Sequence, residues 1–168
     1  MTRHWRRGSS LKHRKGLARR TPMKRGGMKR DALDALWSRY VRLRDGYRCQ
    51  WEGCQPTCSS ETRTKPCGRL YPSNSKGYHA AHFFSRGKQS TRVTPEAGIG
   101  LCYPHHQHAD HNKKSCFHPW LKQRLGEQTF ELLRVQSRTP MVGMALKLHR
   151  DGMRIWLTQA IEQLEARV

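Results

Sequence analysis

Acidic residues are scarce in this chain of 168 residues. Asp and Glu together number 12, against 33 Lys and Arg, and the formal net charge is +21. No acid falls within residues 1–30, which carry twelve of the Lys and Arg residues. Such an excess of one sign predicts a polyanionic partner, either nucleic acid or an anionic membrane surface, and leaves the fold open.

Long apolar runs are also missing. No run approaches the roughly 20 residues of a membrane span, and no apolar core of about 7–15 residues follows the basic N-terminus as it would in a secretory signal. We therefore expect a cytoplasmic protein whose partner is nucleic acid and not a membrane. The apolar fraction of 35% predicts a small core, and small cores often rely on metal ions for further stability.

Charge and apolar spacing divide the chain into three segments. Residues 1–30 have few apolar side chains among Gly, Pro and Ser, which predicts a disordered basic arm. Residues 31–137 are expected to form the folded domain. Residues 138–168 have the apolar spacing of a C-terminal helix, with Thr139 and Pro140 suited to its start.

Helices and strands are mixed in the predicted domain, which favours an α+β fold. Residues 31–45 carry apolar side chains on one helical face, and Asp31 suits the N-cap. Residues 78–84 alternate weakly, as a strand does, and residues 99–111 are expected to run from a short strand into a helix. Gly126 is expected to end a later helix.

Six cysteines indicate metal binding, because disulfides are improbable in a chain without an export signal. Cys49 and Cys54 lie five apart across a turn at Gly53, and Cys102 and His105 lie three apart. Two short-spaced pairs that are distant in sequence are typical of tetrahedral structural zinc. We predict Zn²⁺ bound by Cys49, Cys54, Cys102 and His105. The other cysteines are possible substitutes or members of a second site: Cys58, Cys67 and Cys116.

Histidines near the predicted strands suggest a second kind of metal site. His106 and Asp110 share one helical face as i and i+4, so both can hold one divalent cation such as Mg²⁺ or Mn²⁺. His82, at the end of the predicted strand, is then placed to take a proton from water. Arg86 follows in a turn and can clamp phosphate oxygens, although a generic backbone contact is equally expected. This division of work is that of metal-assisted phosphodiester hydrolysis.

Other histidines leave alternatives open. His79 lies three residues before His82 and is a metal ligand, a substrate contact or a surface residue. His111 is an alternative to Asp110 as a ligand of the catalytic cation. The remaining ones are expected to be ordinary histidines: His108, His118 and His149.

The order of four motifs resembles that of the phage NinG/Rap recombination proteins, a family similar to the HNH, or His-Me finger, endonucleases. The motifs are RDGYRC–x4–C, AAHFFSRGKQSTR, LCxxHH and WLKQRLGEQTFELL, and the likeness covers roughly residues 20–137. The resemblance implies a ββα-metal core braced by structural zinc. It also implies endonuclease activity on branched DNA, such as recombination junctions, in phage recombination or replication inside a bacterial host.

The resemblance also implies roles for individual residues. His82 takes the place of the general base, and His106 takes that of a catalytic-metal ligand directly after the last zinc position. Two positions depart from the family pattern: Ala97 replaces the middle Asn of the HNH motif, and Ala81 stands where many relatives have a metal ligand.

These departures leave a second hypothesis, a non-catalytic, zinc-stabilised nucleic-acid-binding protein with a degenerate HNH site. Under the first hypothesis the partner is branched or partly single-stranded DNA. Cleavage of such DNA commonly needs two active sites, so a homodimer is plausible. The C-terminal helix is a candidate interface, and it is equally expected to cap the core of the monomer.

Overall fold

The structure is a computed structural model that describes residues 29–54 and 64–167. The predicted basic arm therefore lies almost wholly outside the described residues, as does Cys58. Within them the chain forms five α-helices and two strands: α1 (Ala32–Arg44), β1 (Tyr78–His82), β2 (Gly98–Cys102), α2 (Tyr103–His111), α3 (His118–Leu125), α4 (Glu127–Arg138) and α5 (Gly143–Glu165). A 3₁₀ turn (Pro95–Ala97) precedes β2, and a π-helical turn (Lys113–Phe117) connects α2 to α3.

Strands β1 and β2 are antiparallel, with Tyr78 opposite Cys102 and His82 opposite Gly98. Helix α2 begins at Tyr103, directly after β2, so a two-stranded ribbon is followed by a helix. The α+β class is confirmed. The predicted strand over 78–84 is two residues too long, because the chain turns after His82.

Helix α1 begins with a reciprocal cap. The Asp31 carboxylate accepts the Asp34 amide at 3.0 Å, and the Asp34 carboxylate accepts the Asp31 amide at 2.9 Å. This arrangement satisfies two backbone donors that the first helical turn leaves without partners. Leu33, Trp37 and Val41 lie at helical spacing and are buried, which confirms the predicted helix and its apolar face.

Strand β2 has glycine at positions 98 and 100 and apolar side chains at positions 99 and 101. Ile99 and Leu101 are buried in an apolar cluster with Trp51, Phe117 and Trp120. On the other side a β-carbon at Gly98 would collide with the Trp37 ring, and one at Gly100 would collide with the Tyr78 hydroxyl. The two glycines therefore let α1 and Tyr78 approach the strand more closely than any side chain would allow.

Helix α5 packs along α1. Leu157 is fully buried in a second apolar cluster, formed with Leu33, Trp37, Val41, Ala80 and Val93. Ion pairs of 2.5 Å join Arg39 to Glu165 and Arg150 to Asp31. The predicted C-terminal helix is thus in direct contact with the first helix of the predicted domain.

The start of the C-terminal helix differs from the prediction. The Thr139 amide donates to the carbonyls of Val135 and Gln136, so Thr139 ends α4 instead of beginning the next helix. Helix α5 begins at Gly143 after an extended Val142. It then passes through Gly152 without a break.

A buried ion pair fastens the segment between the strands to α1. The Arg92 guanidinium donates to both oxygens of the Asp34 carboxylate, at 2.8 and 2.5 Å, and the two side chains are only 6% and 4% exposed. Arg92 also donates to the Lys29 carbonyl at 3.0 Å. Burial alone would raise the pKa of Asp34, but the hydrogen bonds from Arg92 and from the Asp31 amide outweigh it and lower that pKa.

We predict that Asp34→Asn lowers the free energy of unfolding by about 3–5 kcal/mol, because the change leaves the Arg92 charge buried without its partner. Urea unfolding followed by circular dichroism measures this loss. Asp151→Asn makes the same chemical change at an exposed helical position and is expected to shift stability by no more than about 0.5 kcal/mol. Equal effects of the two substitutions would contradict a dominant role for the ion pair.

Candidate metal centres and catalytic cavity

His82 ends β1 and is held on two sides. Its ring stacks on Trp37, with ring centroids 4.1 Å apart and planes 20° from parallel. Its Nε2 lies 3.0 Å from the Arg92 carbonyl oxygen. Because a carbonyl only accepts hydrogen bonds, Nε2 carries the proton and Nδ1 is the basic nitrogen of the neutral ring.

The face of β1 that carries His82 borders a cavity of about 300 Å³, which is the candidate catalytic cavity. The predicted catalytic and metal-binding residues His82, Arg86, His106 and Asp110 all line it. Its wall is completed by Arg30, Ala80, Phe84, Ser85 and Lys113. The Arg86 side chain is exposed, and no acid within the described part of the chain pairs with it.

His106 lies between two other polar side chains. Its Nε2 is 3.4 Å from an Asp110 carboxylate oxygen, and its Nδ1 is 3.3 Å from Nδ1 of His79. Burial lowers the pKa of His106, and the nearby Asp110 charge only partly offsets this. The imidazole is therefore neutral near pH 7, which is the form that binds metal ions. Because the His106 ring is neutral, its contact with Asp110 is not an ion pair, and the two side chains are potential ligands of one metal ion.

Two of the alternatives are placed elsewhere. His111 is exposed and is not among the described residues that line the catalytic cavity. His79 lines a neighbouring cavity of about 410 Å³ and reaches the catalytic cavity only through its contact with His106. His118 is placed as an ordinary histidine, since its Nε2 contacts the Phe83 carbonyl.

The two positions that depart from the HNH pattern both lie in the apolar core. Ala81 is 1% exposed and belongs to the Trp51 cluster, on the opposite side of β1 from His82. A metal ligand at position 81 would therefore point away from the catalytic cavity. Ala97 is equally buried, and its carbonyl accepts the Phe83 amide. The support that His82 receives comes instead from Trp37 and the Arg92 carbonyl.

A Cys/His group lies on the far side of β2 and the start of α2. It consists of Cys49, Cys67, Cys102 and His105, whose ligand atoms all lie within 4.8 Å of one another. The Cys102 sulfur is 3.0 Å from His105 Nδ1 and 4.0 Å from the Cys67 sulfur, and the Cys49 sulfur is 3.7 Å from His105 Nδ1. These separations suit a tetrahedral ion with ligand bonds of about 2.0–2.3 Å.

The structure differs from the sequence prediction in one ligand, because Cys67 takes the position predicted for Cys54. The segments on either side of residues 55–63 pair as an irregular ladder: the Cys49 amide donates to the Arg69 carbonyl, and the Cys67 amide donates to the Trp51 carbonyl. This pairing sets Cys67 beside Cys49. Cys54 lies further along the ladder, where it meets different partners.

Those partners form a second Cys/His group with Cys54. It contains His108 of α2 and Cys116 of the π-helical turn. The Cys54 sulfur is 3.3 Å from His108 Nε2 and 3.1 Å from the Cys116 sulfur. The sequence predicts an ordinary histidine at position 108, and the irregular spacing of Cys54, His108 and Cys116 does not indicate this group.

Trp51 separates the two groups. Its ring is stacked on His105, with centroids 5.8 Å apart, and it meets His108 edge-on at 5.5 Å. Burial lowers the pKa of both histidines, so both rings are neutral near pH 7. Burial raises the pKa of the Cys49 thiol to about 12 in the metal-free chain, although hydrogen bonds from the Cys102 and Trp51 amides act in the opposite direction. Within the described residues, therefore, two groups can hold a metal ion such as zinc.

Comparison of the chain with protein-family models, with curated proteins and with solved structures found no match. The likeness to the NinG/Rap proteins thus remains a prediction based on the motifs themselves. Among the helices that the structure describes, none combines the length and the apolar character needed to cross a membrane.

We predict that His82 makes stability depend on pH. Burial lowers its pKa to about 4, the Arg92 carbonyl opposes the change, and the Arg86 charge adds to it. The unfolded chain, with a pKa near 6.5, then binds more protons than the folded chain between about pH 4 and 6.5, so stability falls as the pH drops through this range. Between pH 7 and 5 the loss due to His82 is up to about 2 kcal/mol.

The test compares urea unfolding of the wild type and of His82→Gln at pH 7 and pH 5. The substitution removes this titration and leaves the other histidines in place, so the variant should lose less stability on acidification. Identical losses would mean that His82 is not held as a neutral, buried ring.

Proposed function

We propose that this protein is a metal-dependent DNA endonuclease of the HNH type. The observation that carries the proposal is the setting of His82. One ring nitrogen is anchored to a backbone carbonyl, the other is left to accept a proton, and the ring borders a cavity with Arg86, His106 and Asp110. A fixed neutral imidazole beside cationic and metal-binding side chains suits phosphodiester hydrolysis.

In this mechanism Nδ1 of His82 takes the proton of the attacking water. The other ring proton stays on Nε2, which donates it in a hydrogen bond to the Arg92 carbonyl. This hydrogen bond keeps the ring in one tautomer and one orientation. The Trp37 ring prevents rotation away from the cavity. Arg86 and Lys113 bind the non-bridging oxygens of the scissile phosphate, where negative charge increases in the transition state.

His106 and Asp110 are the residues that would hold the catalytic cation. Their imidazole nitrogen and carboxylate oxygen lie 3.4 Å apart and would be the protein donors to one divalent ion. Bound Mg²⁺ or Mn²⁺ would neutralise charge on the phosphate. His79 positions His106 through the contact between their Nδ1 atoms.

Structural zinc at Cys49, Cys67, Cys102 and His105 belongs to the same proposal. These ligands join the segment after α1 to β2 and the first turn of α2, and this makes the strands and the helix a zinc-braced ββα core. His106 directly follows the zinc ligand His105, so the structural ion also fixes the position of the catalytic ligand.

Basic cavities lie on both sides of the catalytic one and support a polynucleotide substrate. The cavity of about 410 Å³ shares Arg30 and Ala80 with it and adds Arg42 and Lys76. On the other side a cavity of about 370 Å³ shares Phe84, Ser85 and Lys113 with it and adds further cationic side chains: Lys88, Lys114, Arg134 and Arg138. A strand that follows this path has phosphates on both sides of His82, as internal cleavage requires.

Branched or partly single-stranded DNA is the preferred substrate class, from the likeness of the motifs to the NinG/Rap proteins, and recombination or replication of a phage inside its host is the corresponding process. A homodimer would supply the second active site that junction cleavage needs.

The second candidate function is a zinc-stabilised nucleic-acid-binding protein without catalysis. Ala97 favours it, because this residue supplies no polar side chain to the loop that supports His82.

We predict that the full chain with Mg²⁺ or Mn²⁺ nicks or resolves a four-way DNA junction, and that His82→Ala lowers the cleavage rate by about 10²–10⁴-fold, the usual contribution of a general base. Single-turnover cleavage of an end-labelled junction measures the rate. His111→Asn alters an exposed histidine of α2 outside the cavity and should leave cleavage unchanged.

Junction binding, measured by fluorescence anisotropy, accompanies the cleavage assay. Full-rate cleavage by His82→Ala would exclude His82 as the base. If the wild type binds the junction with low-micromolar or better affinity and does not cleave it with either cation, the non-catalytic alternative holds.

Removal of residues 1–28 is predicted to weaken the salt dependence of DNA binding. If the basic arm contacts about six phosphates, the slope of log affinity against log salt concentration should decrease by about five units. Titrations of a labelled duplex at several NaCl concentrations measure the slope for the full and the shortened chain. Equal slopes would mean that the arm makes no phosphate contacts.

A further inference from the structure

The group of Cys54, His108 and Cys116 brings together three separate parts of the chain. Cys54 follows the ladder that carries the first metal group, His108 lies in the last turns of α2, and Cys116 lies in the π-helical turn. His108 is 8% exposed and Cys116 is fully buried. A buried imidazole requires polar partners, and the Cys54 sulfur lies 3.3 Å from His108 Nε2.

The chemistry of these three atoms is that of a zinc site. For tetrahedral zinc bonds of about 2.0–2.3 Å, neighbouring ligand atoms lie about 3.5–3.8 Å apart. The sulfur–nitrogen separation is 3.3 Å and the sulfurs are 3.1 Å apart, so the sulfurs would move apart by about 0.6 Å on binding zinc. Thiolates with neutral imidazole are soft ligands that favour zinc over magnesium or calcium. Cys54 is partly buried and the other two residues are buried, so the group lies mostly inside the protein.

We propose that Cys54, His108 and Cys116 bind a second structural zinc ion, separate from the ion of the Cys49 group. These residues supply three of the four tetrahedral positions. The second ion ties the end of α2 and the π-helical turn to the segment that follows α1. It does not depend on the proposed nuclease activity.

The π-helical turn gives the site a structural consequence. The Phe117 amide donates to the Asn112 carbonyl at 3.0 Å, five residues back, and the Cys116 amide donates to the same carbonyl at 2.9 Å. This widened turn buries Cys116 beside Cys54 while Lys113, at the start of the turn, lines the catalytic cavity. Binding of zinc to Cys116 therefore fixes the backbone of the π-helical turn and, with it, the position of Lys113 at the cavity.

Two metal-free arrangements compete with the zinc site. In one, His108 and Cys116 donate hydrogen bonds to the Cys54 sulfur, with the Asn112 amide 3.3 Å from His108 Nδ1. In the other, Cys54 and Cys116 oxidise to a disulfide. Both predict only one zinc ion per chain, so the stoichiometry separates them from the proposal.

The test is native mass spectrometry of the full chain purified with Zn²⁺. The wild type should carry two zinc ions. Cys116→Ser and Cys67→Ser should each carry one, and the double variant none. His111→Asn, an exposed change on the same helix as His108, is the matched control and should keep two.

A variant that fails to fold does not weaken the test, because the wild type is informative by itself. Loading it with ¹¹³Cd²⁺ should give two cadmium resonances, one of which is coupled to the β-protons of Cys54 and Cys116. A single zinc ion in the wild type, two ions in Cys116→Ser, or an intact mass after thiol alkylation that reveals a Cys54–Cys116 disulfide would each overturn the proposal.

Discussion

The ion pair between Asp34 and Arg92 is the constraint on which the position of His82 depends. Asp34 caps helix α1 with one carboxylate oxygen and binds the Arg92 guanidinium with both. The Arg92 carbonyl in turn accepts the proton on His82 Nε2. Helix capping, loop position and the tautomer of one imidazole are thus linked through a few hydrogen bonds, and a charge buried at the start of α1 sets the state of a ring at the end of β1.

Metal ions at the two Cys/His groups would stabilise a chain that is small and highly basic. With 35% apolar residues and a net charge of +21, the chain has little apolar surface to bury and strong self-repulsion. The two Cys/His groups stand on either side of Trp51 and connect the ladder after α1, strand β2 and helix α2. Metal ions there would add cross-links where an ordinary domain has more core side chains.

The sequence predicted features that depend on local pattern. The helix over 31–45, its Asp31 cap and the strand leading into α2 follow from short-range spacing. The placing of His82 near His106 is expected instead from their roles in one reaction and from the family resemblance. Features set by long-range pairing were missed, since the exchange of Cys54 for Cys67 comes from a ladder across residues 55–63 that has no periodicity of its own. The contact between His82 and the Arg92 carbonyl could not be predicted either, because every residue type has the same backbone carbonyl.

Gly98 links the packing of the helix to the chemistry of the cavity. The Trp37 ring occupies the space where a side chain at position 98 would lie, and the same ring stacks on His82. A homologue with a larger residue at position 98 therefore needs a smaller residue at position 37. The His82 ring of such a homologue would lose its stacking partner and could rotate. Natural sequences that retain this stacking of Trp37 on His82 should change the two positions together or not at all.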